Sequence, residues 1–351
     1  MSEFKLTTVE EFEAATARLL ETGAKVGADS WQMRVKNQTP HCKFGEQGVC
    51  CRICSMGPCR ITPKAPRGIC GCDVHGIVGR NFLRFTAGGA ATHSDHGREI
   101  CITLGHAKEG GDYQVKDPEK LIRIAKEWGV ETEGKDIYDL AHEMSDLAQE
   151  EYGKIRGYSR WLKRAPQHTQ DLWHAAGIEP RAIDREVSCA LHMTHMGNTS
   201  KPEALIRQAL RNGLSDGWGG SMCGTEFSDV LFGTPKPIDT EANLGVMNAE
   251  NVNIVVHGHD PSLSEMICEY ADSKEMIDYA KSMGAKGITV SGVCCTSNEV
   301  AMRRGIPMAG NFLQQENVVL TGACEAIVVD VQCIFPALGP LSKCFHTKFI
   351  T

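Results

Sequence analysis

The chain has 351 residues, of which 42% are hydrophobic and 23% charged, and a formal net charge of -7. It is long enough to bury a substantial core and to fold as two or three domains, while the acidic balance and the lack of a lysine-arginine run argue against nucleic acid or an anionic membrane as partner. No apolar run is long enough to span a bilayer, and the opening MSEFKLTTVEEF has no signal-peptide character, so a reducing cytoplasm is the expected location.

The first predicted element is a short amphipathic helix, with Thr8 and Glu11 as a capping box and Phe12, Leu19 and Leu20 on its apolar side. A cysteine loop follows: Cys42, Cys50, Cys51, Cys54, Cys59, Cys70 and Cys72 fall in the pattern C-x7-C-C-x2-C-x4-C-x10-C-x-C. Thiolates spaced this closely on a glycine-containing loop can turn toward one iron-sulfur cubane. Seven are too many for a single cluster. Zinc is the first rival, but a zinc ribbon shows two similar C-x2-C knuckles, and here one such pair sits among unequal spacings. Disulfides suit a secreted chain, which this is not expected to be.

From Asp73 to about Lys108 the pattern is helical, with an expected interruption at Gly88 and Gly89, and His93 and His96 lie on one face. Further helices are expected at Ile137 to Tyr152, Arg160 to Ala175 and Pro202 to Asn212. The Gly-rich stretch from Gly213 to Pro237 reads as a boundary, and it lacks the surroundings of a nucleotide-binding loop.

Beyond it come three β-branched runs, Val252 to Val256, Gly287 to Val293 and Ala326 to Val331, separated by helical segments such as Leu263 to Met283 and Glu299 to Arg304. Short continuous apolar strands alternating with helices predict a parallel sheet covered on both faces. The expected fold is therefore α + α/β: a helical iron-sulfur domain over residues 1–236, then a Rossmann-like α/β domain over 237–351. Each run ends in potential metal donors: His257 and His259, Cys294 and Cys295, and Cys333. The carboxyl edge of a parallel sheet is where ligands gather, and a mixed His and Cys set suits an iron-sulfur cluster carrying an extra metal. His192 and His195 have no thiol or carboxylate beside them and read as structural. Cys101, Cys189, Cys223, Cys268, Cys324 and Cys344 read as isolated, buried spacers.

Taken in order, CKFGEQGVCCRICSMGPCRI, RGICG, NFLR, HSDHGR, DGWGGSM, FGTPKP, EANLGV, HGHDP, GVCCTSNEVAMRRGIP and the QC ending at Cys333 closely resemble the anaerobic nickel-iron carbon monoxide dehydrogenases, from about Leu6 to the last residue. The resemblance implies that Cys42 and Cys50, with the same pair from a second subunit, hold a [4Fe-4S] cluster bridging a homodimer. It implies that Cys51, Cys54, Cys59 and Cys70 hold a relay [4Fe-4S] cluster in each subunit, leaving Cys72 without a role. His259 and Cys295 match ligands of the iron outside the active-site cubane, and Cys333 a ligand of the cubane itself, with His257 and Cys294 as neighbouring alternatives. The implied reaction is CO + H2O to CO2, two protons and two electrons, run reversibly. His93 resembles the active-site base, His96 the next member of a proton relay, and Asp216 an acidic partner. Helical spacing would carry that relay through positions 99 and 102, but Glu99 and Ile102 stand there, and isoleucine cannot pass a proton.

Family members continue beyond the equivalent of Thr351 into a second α/β domain, which supplies further ligands of the nickel-iron-sulfur cluster. The ligand set here is thus expected to be incomplete and the isolated chain inactive. Expected partners are a ferredoxin-type electron acceptor and either the missing half or an acetyl-CoA synthase subunit. Two other readings remain open: a non-catalytic iron-sulfur electron-transfer or assembly module, and a hybrid-cluster protein acting on hydroxylamine, which lacks the Cys42 and Cys50 pair.

Overall fold

A computed structural model describes residues 9–351, with side chains from residue 14 onward. The capping box expected at Thr8 and Glu11, and the side chain of Phe12, lie outside the described residues. The chain forms two compact units, one of residues 40–234 and the other joining the segment that ends at Thr39 to Pro235–Thr351. Helices α1 (Val9–Lys25) and α2 (Trp31–Asn37) thus belong with the α/β unit, whereas the sequence reading grouped them with the helical domain. The reason is a buried charge. Glu316 is fully buried, and its carboxylate accepts from the Trp31 backbone N–H at 2.6 Å and pairs with Arg34. A carboxylate stripped of water is tolerable only with such partners.

In the helical unit, α3 (Lys43–Glu46) opens the cysteine loop and the strands β1 (Cys50–Cys51) and β2 (Cys59–Arg60) pair within it. Then come α4 (Val74–Gly105), α5 (Pro118–Glu127), α6 (Ile137–Gly153), α7 (Gln167–Ala176), α8 (Ile183–Thr194), α9 (Pro202–Ser215) and α10 (Met222–Phe232). Asp73 caps α4, its Oδ1 accepting from Gly76 N at 2.9 Å. The helix runs unbroken through Gly88 and Gly89, against expectation. Each glycine costs about 1 kcal/mol of propensity, but Leu83, Ala87, Ala90, Ile100 and Leu104 are all buried along α4, and packing of this kind dominates helix stability. The helix expected over Arg160 to Ala175 is instead a 3₁₀ turn, Arg160–Arg164, followed by α7. Pro166 lacks an N–H and forces Ala165 to extended ψ 145.

The α/β unit carries a five-stranded parallel sheet ordered β5-β4-β3-β6-β7, from β3 (Val252–Gly258), β4 (Ile288–Val293), β5 (Met308–Gly310), β6 (Ala326–Val329) and β7 (Lys348–Ile350). Between them run α11 (Pro261–Ala271), α12 (Lys274–Ser282), α13 (Cys294–Arg304), α14 (Gln315–Leu320) and α15 (Leu338–Ser342). The helix expected over Leu263 to Met283 is broken where Ser273 caps α12. The register sets His257 level with Val293 and with Val329. The three central strands therefore end together, and the residues after them leave from one edge.

Candidate metal centres and a histidine pair

In the helical unit, β1 and β2 pair with Cys51 opposite Cys59, so residues far apart along the loop meet. Asn81 of α4 fixes the hairpin by donating to Gly48 O at 3.0 Å and Cys50 O at 2.9 Å. Cys51, Cys54, Cys59, Cys70 and Cys72 then line one hollow. Its walls have little room for side chains: a Cβ on Gly68 would stand 3.4 Å from Cys59 Sγ, and one on Gly197 would stand 3.0 Å from Cys70 Sγ. Ile69 N donates to Cys59 Sγ at 3.4 Å, the kind of contact that tunes cluster-bound sulfur.

These residues fit an iron-sulfur cluster. The walls of the hollow carry five thiols, and a cubane takes four. The hollow includes Cys72, buried, as well as the exposed Cys70. Cys42 is exposed at the start of α3, and backbone N–H donors from Gly45 and Phe44 lower its pKa.

His93, His96 and Asp216 come together at α4. His93 Nδ1 lies 2.5 Å from Asp216 Oδ1, and that hydrogen bond raises the imidazole pKa against the opposing effect of burial. His96 is buried, and burial with the nearby His93 charge lowers its pKa to about 4. The Gly-rich stretch read as a boundary holds the division between the two units at its end, after Thr234, but it is helical as far as Phe232: α9 leads into a π-helical turn, Asp216–Ser221, and then α10. Its glycines serve close approach. A Cβ on Gly220 would stand 2.9 Å from the His93 carbonyl, one on Gly224 would stand 3.3 Å from His96 Cε1, and one on Gly97 would stand 2.8 Å from Gly220 O. Small residues thus bring the π turn against α4, and the turn places Asp216 on His93. Farther along α4, Glu99 is exposed and Ile102 half-buried.

In the α/β unit the strand-end donors emerge at one sheet edge. His257, inside β3, is fully buried, with Nε2 3.1 Å from Gln315 Oε1. Gln315 Nε2 also donates to Cys333 O at 2.9 Å, so His257 braces the loop beneath the donors. His259 follows the strand, and its N–H donates to Asp330 Oδ1 at 2.6 Å. The same oxygen accepts from Asp260 N at 3.2 Å and from Val331 N. Gly258, at φ +141, is required here, because a Cβ would overlap the Asp330 carboxylate. Burial raises the Asp330 pKa to about 7 despite those donors.

Cys294 and Cys333 share a side-chain hydrogen bond, and Cys295 lies close enough to feel Cys333 electrostatically. Burial raises the pKa of all three thiols, that of Cys294 to about 12. Thiols of this kind become ligands only by giving up protons as metal binds.

The sequence reading missed three features. Cys101 and Cys223 are not isolated, their Sγ atoms lying 3.6 Å apart in the core. Cys344 is exposed. Arg80 lines the cysteine hollow, and its place soon after the loop, nearly two turns into α4, was the available signal.

The Prismane/CO dehydrogenase family profile matches residues 49–351. Carbon monoxide dehydrogenase 1 of Methanosarcina mazei is 48% identical over 344 residues, covering 97% of this chain and 55% of the relative. The carbon monoxide dehydrogenase/acetyl-CoA synthase subunit beta of Moorella thermoacetica is 42% identical over 322 residues, covering 90% and 47%. Among solved structures, nickel-free carbon monoxide dehydrogenase from Thermococcus sp. AM4 matches with a TM-score of 0.91 at 48% identity, over 95% of this chain and 54% of that one. An acetyl-CoA synthase/carbon monoxide dehydrogenase, with NiZn[Fe4S4] and NiNi[Fe4S4] clusters in its alpha subunits, matches at 0.90 and 39% identity, over 96% and 51%. The chain spans about half the length of the curated relatives it matches.

Proposed function

The chain belongs to the Prismane/CO dehydrogenase family, and from that premise we propose that it forms the part of a nickel-iron-sulfur carbon monoxide dehydrogenase that carries the relay cysteines and one ligand edge of the active-site cluster. The reaction is CO + H2O to CO2 + 2 H+ + 2 e-, reversibly. When bound, the nickel-iron-sulfur cluster supplies CO binding, water activation and an acceptor for the electron pair. His259, Cys295 and Cys333 are the residues of this chain that would hold it.

Cys51, Cys54, Cys59 and Cys70 hold the relay [4Fe-4S] cluster. Cys42 and Cys50 contribute half the ligands of a cluster shared across a homodimer. His93 takes the role of base, with its ring held by the Asp216 contact at Nδ1 and Nε2 as the nitrogen that takes the proton. His96 stays neutral near pH 7 because burial holds its pKa down, so it passes a proton without storing one. Electrons leave to a ferredoxin-type acceptor in the cytoplasm, and an acetyl-CoA synthase subunit is a further partner.

The observation that carries this reading is the convergence of the loop thiols on one glycine-walled hollow. Its test is the iron, sulfide and nickel content of anaerobically purified protein, with CO-dependent viologen reduction. Iron and sulfide that disappear in Cys54→Ser support it, and an iron-free, colourless protein overturns it. Iron without CO-dependent reduction, even alongside the rest of the enzyme, would favour the electron-transfer module.

A further inference from the structure

Arg80 is 2% exposed and lines the hollow formed by Cys51, Cys54, Cys59, Cys70 and Cys72. Its Nη1 donates to Thr199 O at 2.8 Å, and its Nη2 donates to Thr194 O at the end of α8. Among the described residues no carboxylate pairs with it. Neutral carbonyls satisfy the N–H groups, but they do not offset the loss of water around a cation. If the only task were to tie α8 to α4, an uncharged donor would serve at lower cost. An anion belongs near this guanidinium, and the ionisable groups that share the hollow with it are the five thiols, with Cys72 close enough to feel its charge. A cluster held by four thiolates is net negative, and more so after it takes up an electron.

We propose that Arg80 is the buried counter-ion of the relay cluster and raises its reduction potential, a positioning charge rather than a ligand. This rests on the reading in which Cys51, Cys54, Cys59 and Cys70 hold a cubane. A unit charge about 12 Å away at an effective dielectric near 20 changes the ratio of reduced to oxidised cluster about tenfold at fixed potential. For a one-electron couple tenfold is about 59 mV. The guanidinium cannot be deprotonated in proteins, so the contribution persists across the working pH range.

The test is an anaerobic redox titration followed by electron paramagnetic resonance, in a Cys42→Ser background so that the relay cluster is observed without the shared one. Arg80→Gln is expected to lower the midpoint by about the tenfold equivalent, and Arg80→Lys, which keeps the charge, to stay within about threefold of the parent. An Arg80→Gln protein with native iron and an unchanged midpoint overturns the proposal. If that variant holds no cluster, Arg80→Lys decides: a native midpoint supports the counter-ion role, and a tenfold fall overturns it. Loss of iron from both variants makes Arg80 a structural brace, which also overturns it. A parent protein that never holds iron refutes the cluster reading instead, so the two failures are distinct.

Discussion

Alanine at Gly97 and alanine at Gly88 are the same substitution in the same helix, and they should have opposite effects. A Cβ on Gly88 meets nothing within 4 Å, so Gly88→Ala keeps only the gain in helix propensity, about 0.5–1 kcal/mol of added stability. A Cβ on Gly97 would stand 2.2 Å from Tyr152 Oη and 2.8 Å from Gly220 O. Tyr152 is 3% exposed and the second atom is backbone, so neither yields without moving a helix. Overpacking of this kind costs about 1–3 kcal/mol. The backbone clash argues for the upper end, and after the propensity gain Gly97→Ala should be destabilised by about 2 kcal/mol. Urea unfolding of both variants beside the parent measures this as midpoint shifts of opposite sign at equal slope. The same displacement should loosen the Asp216 contact, so in Gly97→Ala the His93 pKa, read by NMR, should fall toward its ordinary value. Equal stability of the two variants, or an unchanged His93 pKa in a destabilised Gly97→Ala, would refute the claim that glycine seats the π turn on α4.

Asp216→Asn should lower the His93 pKa, since the Asp216 hydrogen bond is the leading cause of its elevation. Because the folded value is raised, the stabilisation from this contact is complete below the ordinary pKa of about 6.5 and is lost as pH rises through the folded pKa. The variant's stability profile should lack that step. His96 behaves oppositely: with a folded pKa of about 4, charging it costs about 3 kcal/mol as pH falls from about 6.5 toward 4, and His96→Gln should flatten the acid limb of a pH-stability curve. Cys54→Ser should lose the relay-cluster iron, whereas Cys42→Ser should weaken the dimer and keep that iron, as iron analysis and sedimentation would show.

The cysteine loop could be read from sequence because its thiols lie close along the chain, and the strand edge because three parallel strands ending together bring their following residues to one side. The segment through Thr39 could not, since its attachment to Glu316 spans 285 positions and leaves no local signal. Nor could the pairing of Cys101 with Cys223, 122 residues apart. The glycines around Asp216 were misread for a different physical cause. Glycine marks a turn when it supplies positive φ and marks close contact when it supplies the absence of a Cβ. Gly97, Gly220 and Gly224 are of the second kind. Only the packing of α4 against the π turn distinguishes the two uses.

At the strand ends the resemblance assigns Cys295 rather than Cys294, and side-chain alternation would set the two on opposite faces only while the strand stays extended. Here it does not, because Cys294 sits at φ 68, as β4 gives way to α13. Gln332 at φ 69 and Cys333 at φ 59 repeat the left-handed conformation after β6. Three non-glycine residues in that region are costly, and such strain persists only where surrounding contacts enforce it. The enforcing contacts are identifiable: Asp330 gathers the N–H groups of His259, Asp260 and Val331, while Gln315 ties His257 to the Cys333 carbonyl. Cys333 raises the pKa of both Cys294 and Cys295 electrostatically, so neither thiol is remote from it. A ligand assignment that counts residues along β4 therefore assumes a regularity this edge abandons.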